Sequence, residues 1–167
     1  MNWIGAAAAL PTGVALEEPT RSAKRTIKER LVGTWTLVSL TVGEGADATM
    51  PYGASPKGTM MVDAAGHFMI TVLRSDLPKF AVQGRMAGTP EENTAIVRGT
   101  IAYFGTYTVD EATQVMTVTI EASSFPNFAG HTQARLISFA GDDEVTYINS
   151  TPSDSGGAAK VTYRRAK

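Results

Sequence analysis

The 167-residue chain contains no cysteine. Disulfides, thiolate catalysis and sulfur-ligated metal are therefore excluded, while the compartment stays open. Neither sign of charge is in excess: 15 basic residues stand against 16 acidic ones. That balance leaves no electrostatic footprint for nucleic acid or an anionic membrane. No apolar run is long enough to span a bilayer. The two histidines, His67 and His131, lie far apart, without His-x-His or His-x-x-x-His spacing. No metal site is expected from them, and no other cofactor is signalled. A Gly-x-Ser-x-Gly nucleophile elbow is absent, and Ser123 and Ser124 have no base at a fixed spacing. The glycines between Val42 and Ser55 lack phosphate-binding spacing and precede no helix start, so they read as loop geometry.

The first 16 residues, MNWIGAAAALPTGVAL, hold a short apolar run from Trp3 to Leu10, a break at Pro11, and small residues at Gly13 and Ala15. This is the outline of a secretory signal without its leading Lys or Arg. A periplasmic or secreted location follows if the segment is a signal, a cytoplasmic one otherwise. Residues 1–30 are read as a leader. Pro19 to Arg30 is polar and mostly basic, either a solvated stretch or a short helix whose Ile27–Leu31 edge covers one end of the fold. Residues 31–167 suffice for one domain with a single core.

What is present is strand and turn. Leu31–Thr41 (LVGTWTLVSLT) has strand character, with Trp35, Leu37, Ser39 and Thr41 sharing one face by period 2. Gly33, two residues before Trp35, marks a spot where a side chain would obstruct backbone or indole packing. Lys57–Val62 and His67–Arg74 flank Asp63-Ala64-Ala65-Gly66, a hairpin turn with Gly66 at the positive-φ position. In the second of these strands Phe68, Ile70, Val72 and Arg74 share a face. Thr89-Pro90-Glu91-Glu92 predicts a helix start with a capping box, the helix ending near Gly99 or continuing to Tyr103. Ile101–Val109 (bending at Gly105), Gln114–Ala122, Thr132–Phe139, Glu144–Asn149 and Ala159–Arg164 supply the remaining strands. Eight sequential strands with tight turns favour up-and-down pairing, and eight can close around one small ligand.

Certain residues carry a resemblance. Gly33-Thr34-Trp35 opening the first strand, with Tyr163-Arg164-Arg165 closing the last, is similar to the lipocalin (calycin) barrels. With the motifs KGTMMVDAAGHF, AGTPEENTAIV and IAYFGTYTVDEA, the core from Leu31 to Arg165 resembles the bacterial and fungal lipocalin-like domain family. The resemblance implies an all-β, eight-stranded antiparallel up-and-down barrel, with one short helix between strands 3 and 4. It also implies an end plugged by Trp35 under a late arginine. Strand phase leaves Arg164 and Arg165 both available, with Arg165 favoured. No agreed reaction comes with the family.

Charged and phenolic residues within apolar strands are the candidate site, because an inward charge needs a partner. These are Arg74, Tyr103, Tyr107, Glu121 and Arg135, with Asn127 from a loop. Glu121 could meet Arg135 as a structural bridge or as the polar floor of a cavity; the alternative is that both point outward. Phe68, Tyr107, Phe125 and Phe128 would supply contact area, and Arg74 would recognise an acidic head group. The expected partner is a small hydrophobic or amphipathic molecule held inside the barrel. A cyclase or isomerase using the cavity as a shaped active site is the alternative, and a stress-related envelope protein with an incidental ligand is a third reading. The mouth is expected under the Pro78–Gly88 connection and the helix after Thr89, or under the Phe125–Phe128 loop. Oligomeric state is not legible.

Overall fold

The computed structural model describes residues 25–153 and 157–167. The signal-like segment and the leader up to residue 24 lie outside the described residues. A short helix, α1 (Ile27–Leu31), precedes eight strands: β1 (Gly33–Val42), β2 (Lys57–Val62), β3 (His67–Leu73), β4 (Thr100–Asp110), β5 (Val115–Ser123), β6 (Thr132–Ala140), β7 (Glu144–Asn149) and β8 (Ala159–Arg165). A second helix, α2 (Pro90–Gly99), stands between β3 and β4. Each strand pairs antiparallel with the next, and β8 pairs with β1 to close the barrel. Closure leaves no edge strand among the eight, so every ladder is satisfied internally. No helix among the described residues is long and apolar enough to cross a membrane.

Alternation sets the core. Met60 and Val62, Phe68, Ile70 and Val72, and Met116, Val118 and Ile120 are all buried, while their odd neighbours face outward. In β1 the period-2 reading fails halfway. Trp35 and Leu37 point inward, but a bulge between Leu37 and Ser39 then moves Leu40 and Val42 inside in place of Ser39 and Thr41. One extra residue opposite β8 is enough to exchange the two faces. At Gly105 a second register shift occurs, and any side chain there would run into the Thr119 carbonyl of β5.

The two ends of the barrel differ. Turns 63–66, 111–114 and 141–143 close one end tightly. At Asp63 the carboxylate accepts from the Gly66 and His67 amides, both at 2.8 Å, and Gly66 has φ +102°. Helix α1 seals this end. Thr26 and Glu29 form a capping box, and the Glu111 carboxylate accepts from the Ile27 and Lys28 amides at 2.7 and 2.9 Å. Leu31 is fully buried, and its carbonyl accepts from the Trp35 indole at 2.7 Å.

Arg165, rather than Arg164, lies over Trp35, its guanidinium carbon 4.1 Å from the ring centroid. Its nitrogens donate to the carbonyls of Val32 (3.1 Å), Arg30 (2.7 Å) and Asp142 (3.2 Å). Arg164 points out to Glu144. Gly33 has φ +136°, and a Cβ there would lie 2.8 Å from Arg165 Nη1. The glycine thus makes room for the arginine, where the sequence suggested the backbone or the indole.

The other end carries the long connections: 43–56, 74–99, 124–131 and 150–158. Here α2 begins with the Thr89 and Glu92 capping box, and Glu92 also accepts from the Ala81 amide at 2.8 Å. The helix ends at Gly99, whose carbonyl accepts from the Arg74 amide at 2.8 Å.

Trp35→Ala should cost about 3–5 kcal/mol, the range for truncating a buried large aromatic, read as a lower urea midpoint. Thr89→Ala should act locally, because α2 is mostly exposed, with Val97 77% exposed and Gly99 its one buried residue. Losing the cap costs about 1 kcal/mol. The amides of α2 should therefore exchange with solvent about fivefold faster while the barrel midpoint holds.

Candidate functional site

The polar residues of the interior collect on two strands. β6 directs Gln133, Arg135 and Ile137 inward, and β7 directs Val145, Tyr147 and Asn149 inward. The ladder places Arg135 opposite Asn149 and, on its other side, opposite Met116. Arg135 is fully buried. Its Nη2 donates to the Tyr103 hydroxyl at 3.0 Å and to Gln133 Oε1 at 3.2 Å. Asn149 donates to the same Gln133 oxygen at 3.2 Å, and Gln133 in turn donates to the Thr151 carbonyl.

Aromatic rings surround the guanidinium. The centroids of Tyr147, Tyr103 and Phe68 lie 4.7, 5.4 and 5.8 Å from its central carbon. Burial alone pushes this guanidinium toward its neutral form, but the phenol oxygens of Tyr103 and Tyr147 outweigh that and hold it above the ordinary arginine value. Burial likewise lifts the Tyr147 and Tyr163 hydroxyls well above the usual phenol range, so both stay protonated. Tyr163 stacks on Tyr147 at 6.0 Å, and its hydroxyl is buried.

Above this layer, toward the long connections, lies a small interior cavity of about 30 Å³. Tyr103, Tyr147 and Asn149 form its polar side, and Val72, Phe128 and Val161 are among its apolar walls. It adjoins an outer vestibule of about 410 Å³ lined by Val97 and Arg98 of α2, Phe125, and three residues common to both spaces: Tyr52, Ile101 and Ser153. The end of α2 and the Phe125–Phe128 segment therefore both stand at the mouth. Phe125 packs edge-on to Phe128 at 5.2 Å, and Phe128 edge-on to Tyr103 at 6.0 Å, a run of rings from the surface to the polar layer.

The other sequence candidates divide between this layer and the rest of the barrel. Phe68 and Tyr103 are interior, at the polar layer. Tyr107 is buried nearer the sealed end, its hydroxyl donating to the Asp63 carbonyl at 2.7 Å. Arg74 does not share the face of Phe68, Ile70 and Val72. β3 ends at Leu73, and Arg74 turns out to a two-pronged pair with Asp76 at 2.8 and 2.7 Å. Glu121 is exposed, on the face opposite Met116, Val118 and Ile120, and makes no bridge to Arg135. His67 sits outside beside Asp63, 3.0 Å from its carboxylate, and His131 is exposed. Among the described residues no group of histidines and carboxylates converges as a metal site would require.

Sequence reasoning missed Gln133, Asn149, Tyr147, Tyr163 and Tyr52. Tyr147 and Asn149 follow Val145 at period 2, which is the signal that would have placed them on one inward face.

Three comparisons bear on this arrangement. Over 77 residues the chain is 34% identical to a 4'-hydroxy-3'-methoxypropiophenone carrier protein of Aspergillus oryzae, a match spanning 42% of this chain and 69% of that protein. A solved structure of a redesigned β-barrel aligns with 87% of this chain and 100% of its own, at 15% identity and a TM-score of 0.45. The lipocalin-like domain family matches residues 32–166, which is the barrel from the start of β1 to the end of β8. With its eight-stranded closed barrel and a family match along that whole length, the chain belongs to the lipocalin-like domain family.

Proposed function

We propose that this protein is a small-molecule carrier, taking an apolar or amphipathic ligand through the long-loop end of the barrel. The observation that carries the reading is the graded interior. An aromatic mouth leads to an apolar-walled cavity, and that cavity rests on a polar layer of Tyr103, Tyr147, Gln133, Arg135 and Asn149. Apolar walls with a few fixed polar groups are the usual build of a ligand site. The name of the Aspergillus relative, a carrier of a phenolic aryl ketone, supports the same reading. So does the chemistry of the layer. Among the described residues the buried interior has proton donors but no carboxylate or histidine to accept a proton. This favours carriage over a cyclase or isomerase that works by acid–base catalysis.

The cavity as it stands has room for water only, far below the several hundred cubic ångströms of ordinary ligand pockets. A ligand must therefore displace rings at the mouth, and Tyr52 and Phe128 are placed to move because both come from connections rather than strands. The neutral dye N-phenylnaphthylamine should bind and brighten. Ala159→Leu adds bulk to the cavity wall at about 1–3 kcal/mol of overpacking, and should weaken dye binding at least about tenfold while the barrel stays folded. Failure of the wild-type protein to bind the dye, or equal binding by the variant, would remove the carrier reading.

A further inference from the structure

Arg135 poses a question that the carrier reading leaves open. It has five N–H donors, and the two on Nη2 are taken by Tyr103 and Gln133. Nε and Nη1 are buried and have no acceptor. Nor is there a counter-ion. The buried polar side chains among the described residues are Gln133, Arg135 and Asn149, with no carboxylate among them. Glu121, the residue best placed in sequence to supply one, faces solvent. Ring faces at 4.7–5.8 Å help a cation, but they give Nε–H and Nη1–H no acceptor.

A fully buried, half-satisfied guanidinium is costly unless it is paired. Elsewhere in this molecule arginines are supplied: Arg74 has both Asp76 oxygens, and Arg165 has three carbonyls. Arg30 also has a buried Nε without a hydrogen-bond partner, but that nitrogen is 3.7 Å from the Asp142 carboxylate. Arg135 has no such carboxylate, and it lies just beneath the cavity, held by Tyr103, which lines that cavity.

We propose that Arg135 is an anion-recognition site: the ligand carries an acidic oxygen, as a carboxylate or a phenolate, which goes in first and is held by the free Nε and Nη1 donors of Arg135. The inference rests on the carrier reading and adds the chemical class of its ligand. It also moves acid recognition from Arg74, already neutralised by Asp76 at the surface, to the barrel interior. In low-dielectric surroundings a charge-assisted bond to an arginine is about twice as strong as a neutral one. The flat rings of Phe68, Tyr103, Phe128 and Tyr147 suit a planar aromatic body behind the acidic oxygen.

The test compares matched pairs in displacing N-phenylnaphthylamine from the full-length protein. Cinnamate against cinnamyl alcohol reports a carboxylate. 4'-Hydroxy-3'-methoxypropiophenone against its O-methyl ether, at a pH where the phenol ionises, reports a phenolate. At least one acid should outcompete its neutral partner about tenfold or more, and the pair that does so names the group. Arg135→Met should abolish that preference, read as the ratio of the acid's displacement constant to that of its neutral partner in the same variant, whatever its own affinity for the dye. Removing an unpaired buried charge should also keep or raise the urea midpoint. Arg135→Lys, which keeps the charge with fewer donors, should retain part of the preference and decides the matter if the Met variant does not fold. Dye binding without preference for either acid overturns the inference and leaves the carrier reading standing, as does a preference that survives in Arg135→Met. A wild-type protein that binds neither dye nor acids overturns both.

Discussion

Arg165 is the fastening on which the barrel depends. It is the last residue of the last strand, yet it touches the first strand, the helix before it and the turn between β6 and β7. Helix α1 ends beneath it, so the carbonyls of Arg30 and Val32, which a short helix leaves without internal partners, receive charged donors. The Trp35 ring lies under the same guanidinium while its N–H is spent on the Leu31 carbonyl. An indole that is buried, capped on its face and satisfied at its nitrogen can be a plug without a polar penalty. Arg30 adds a second layer by stacking 3.9 Å over Phe139, itself packed against Trp35.

Sealing one end decides what the other can do. The turns at the plugged end are three or four residues long and pinned by Asp63, Asp110 and α1, so they offer little freedom. All the long connections emerge opposite, with Tyr52, α2, Phe125 and Ser153 around one opening. Eight strands fix the wall rigidly, and variation is left to loops at a single mouth. Between plug and mouth the filling is graded: Trp35 and Leu31, with Met60 opposite Trp35, then the Arg135 layer, then the cavity.

Much of this was legible in the sequence because it rests on local rules. The bounds of β2 and β7 follow directly from turn residues, and the start of α2 follows from Thr89, Pro90 and Glu92. Phase was harder. In β1 the bulge between Leu37 and Ser39 depends on the register of β8, more than a hundred residues away, and nothing near Val38 announces it. Arg74 was misplaced by extrapolating an alternation one residue past the end of its strand. Glu121 was recoverable, since Met116, Val118 and Ile120 form so clearly apolar a face that its own face had to be outside. Arg135 was the opposite case. Its face, Gln133, Arg135 and Ile137, is more polar than the one bearing Leu136, which is half exposed. Hydrophobic patterning therefore argues for the wrong face of β6. A strand whose polar side turns inward breaks the local rule, and such breaks concentrate where a molecule has something to bind.

The rings around this layer also keep the cavity small: Tyr147 and Tyr103 stand 4.7 and 5.4 Å from the guanidinium carbon, and the space left above them is about 30 Å³. Tyr103 links the mouth to this layer, accepting from Arg135 on one side and meeting Phe128 on the other. Gln133 holds the Arg135 guanidinium from the mouth side, itself fixed by Asn149 and by a bond to the Thr151 carbonyl in the connection at the mouth. The connection at the mouth and the interior guanidinium are thus joined by one short chain of hydrogen bonds, so a displacement at Thr151 reaches Arg135 through the single side chain of Gln133.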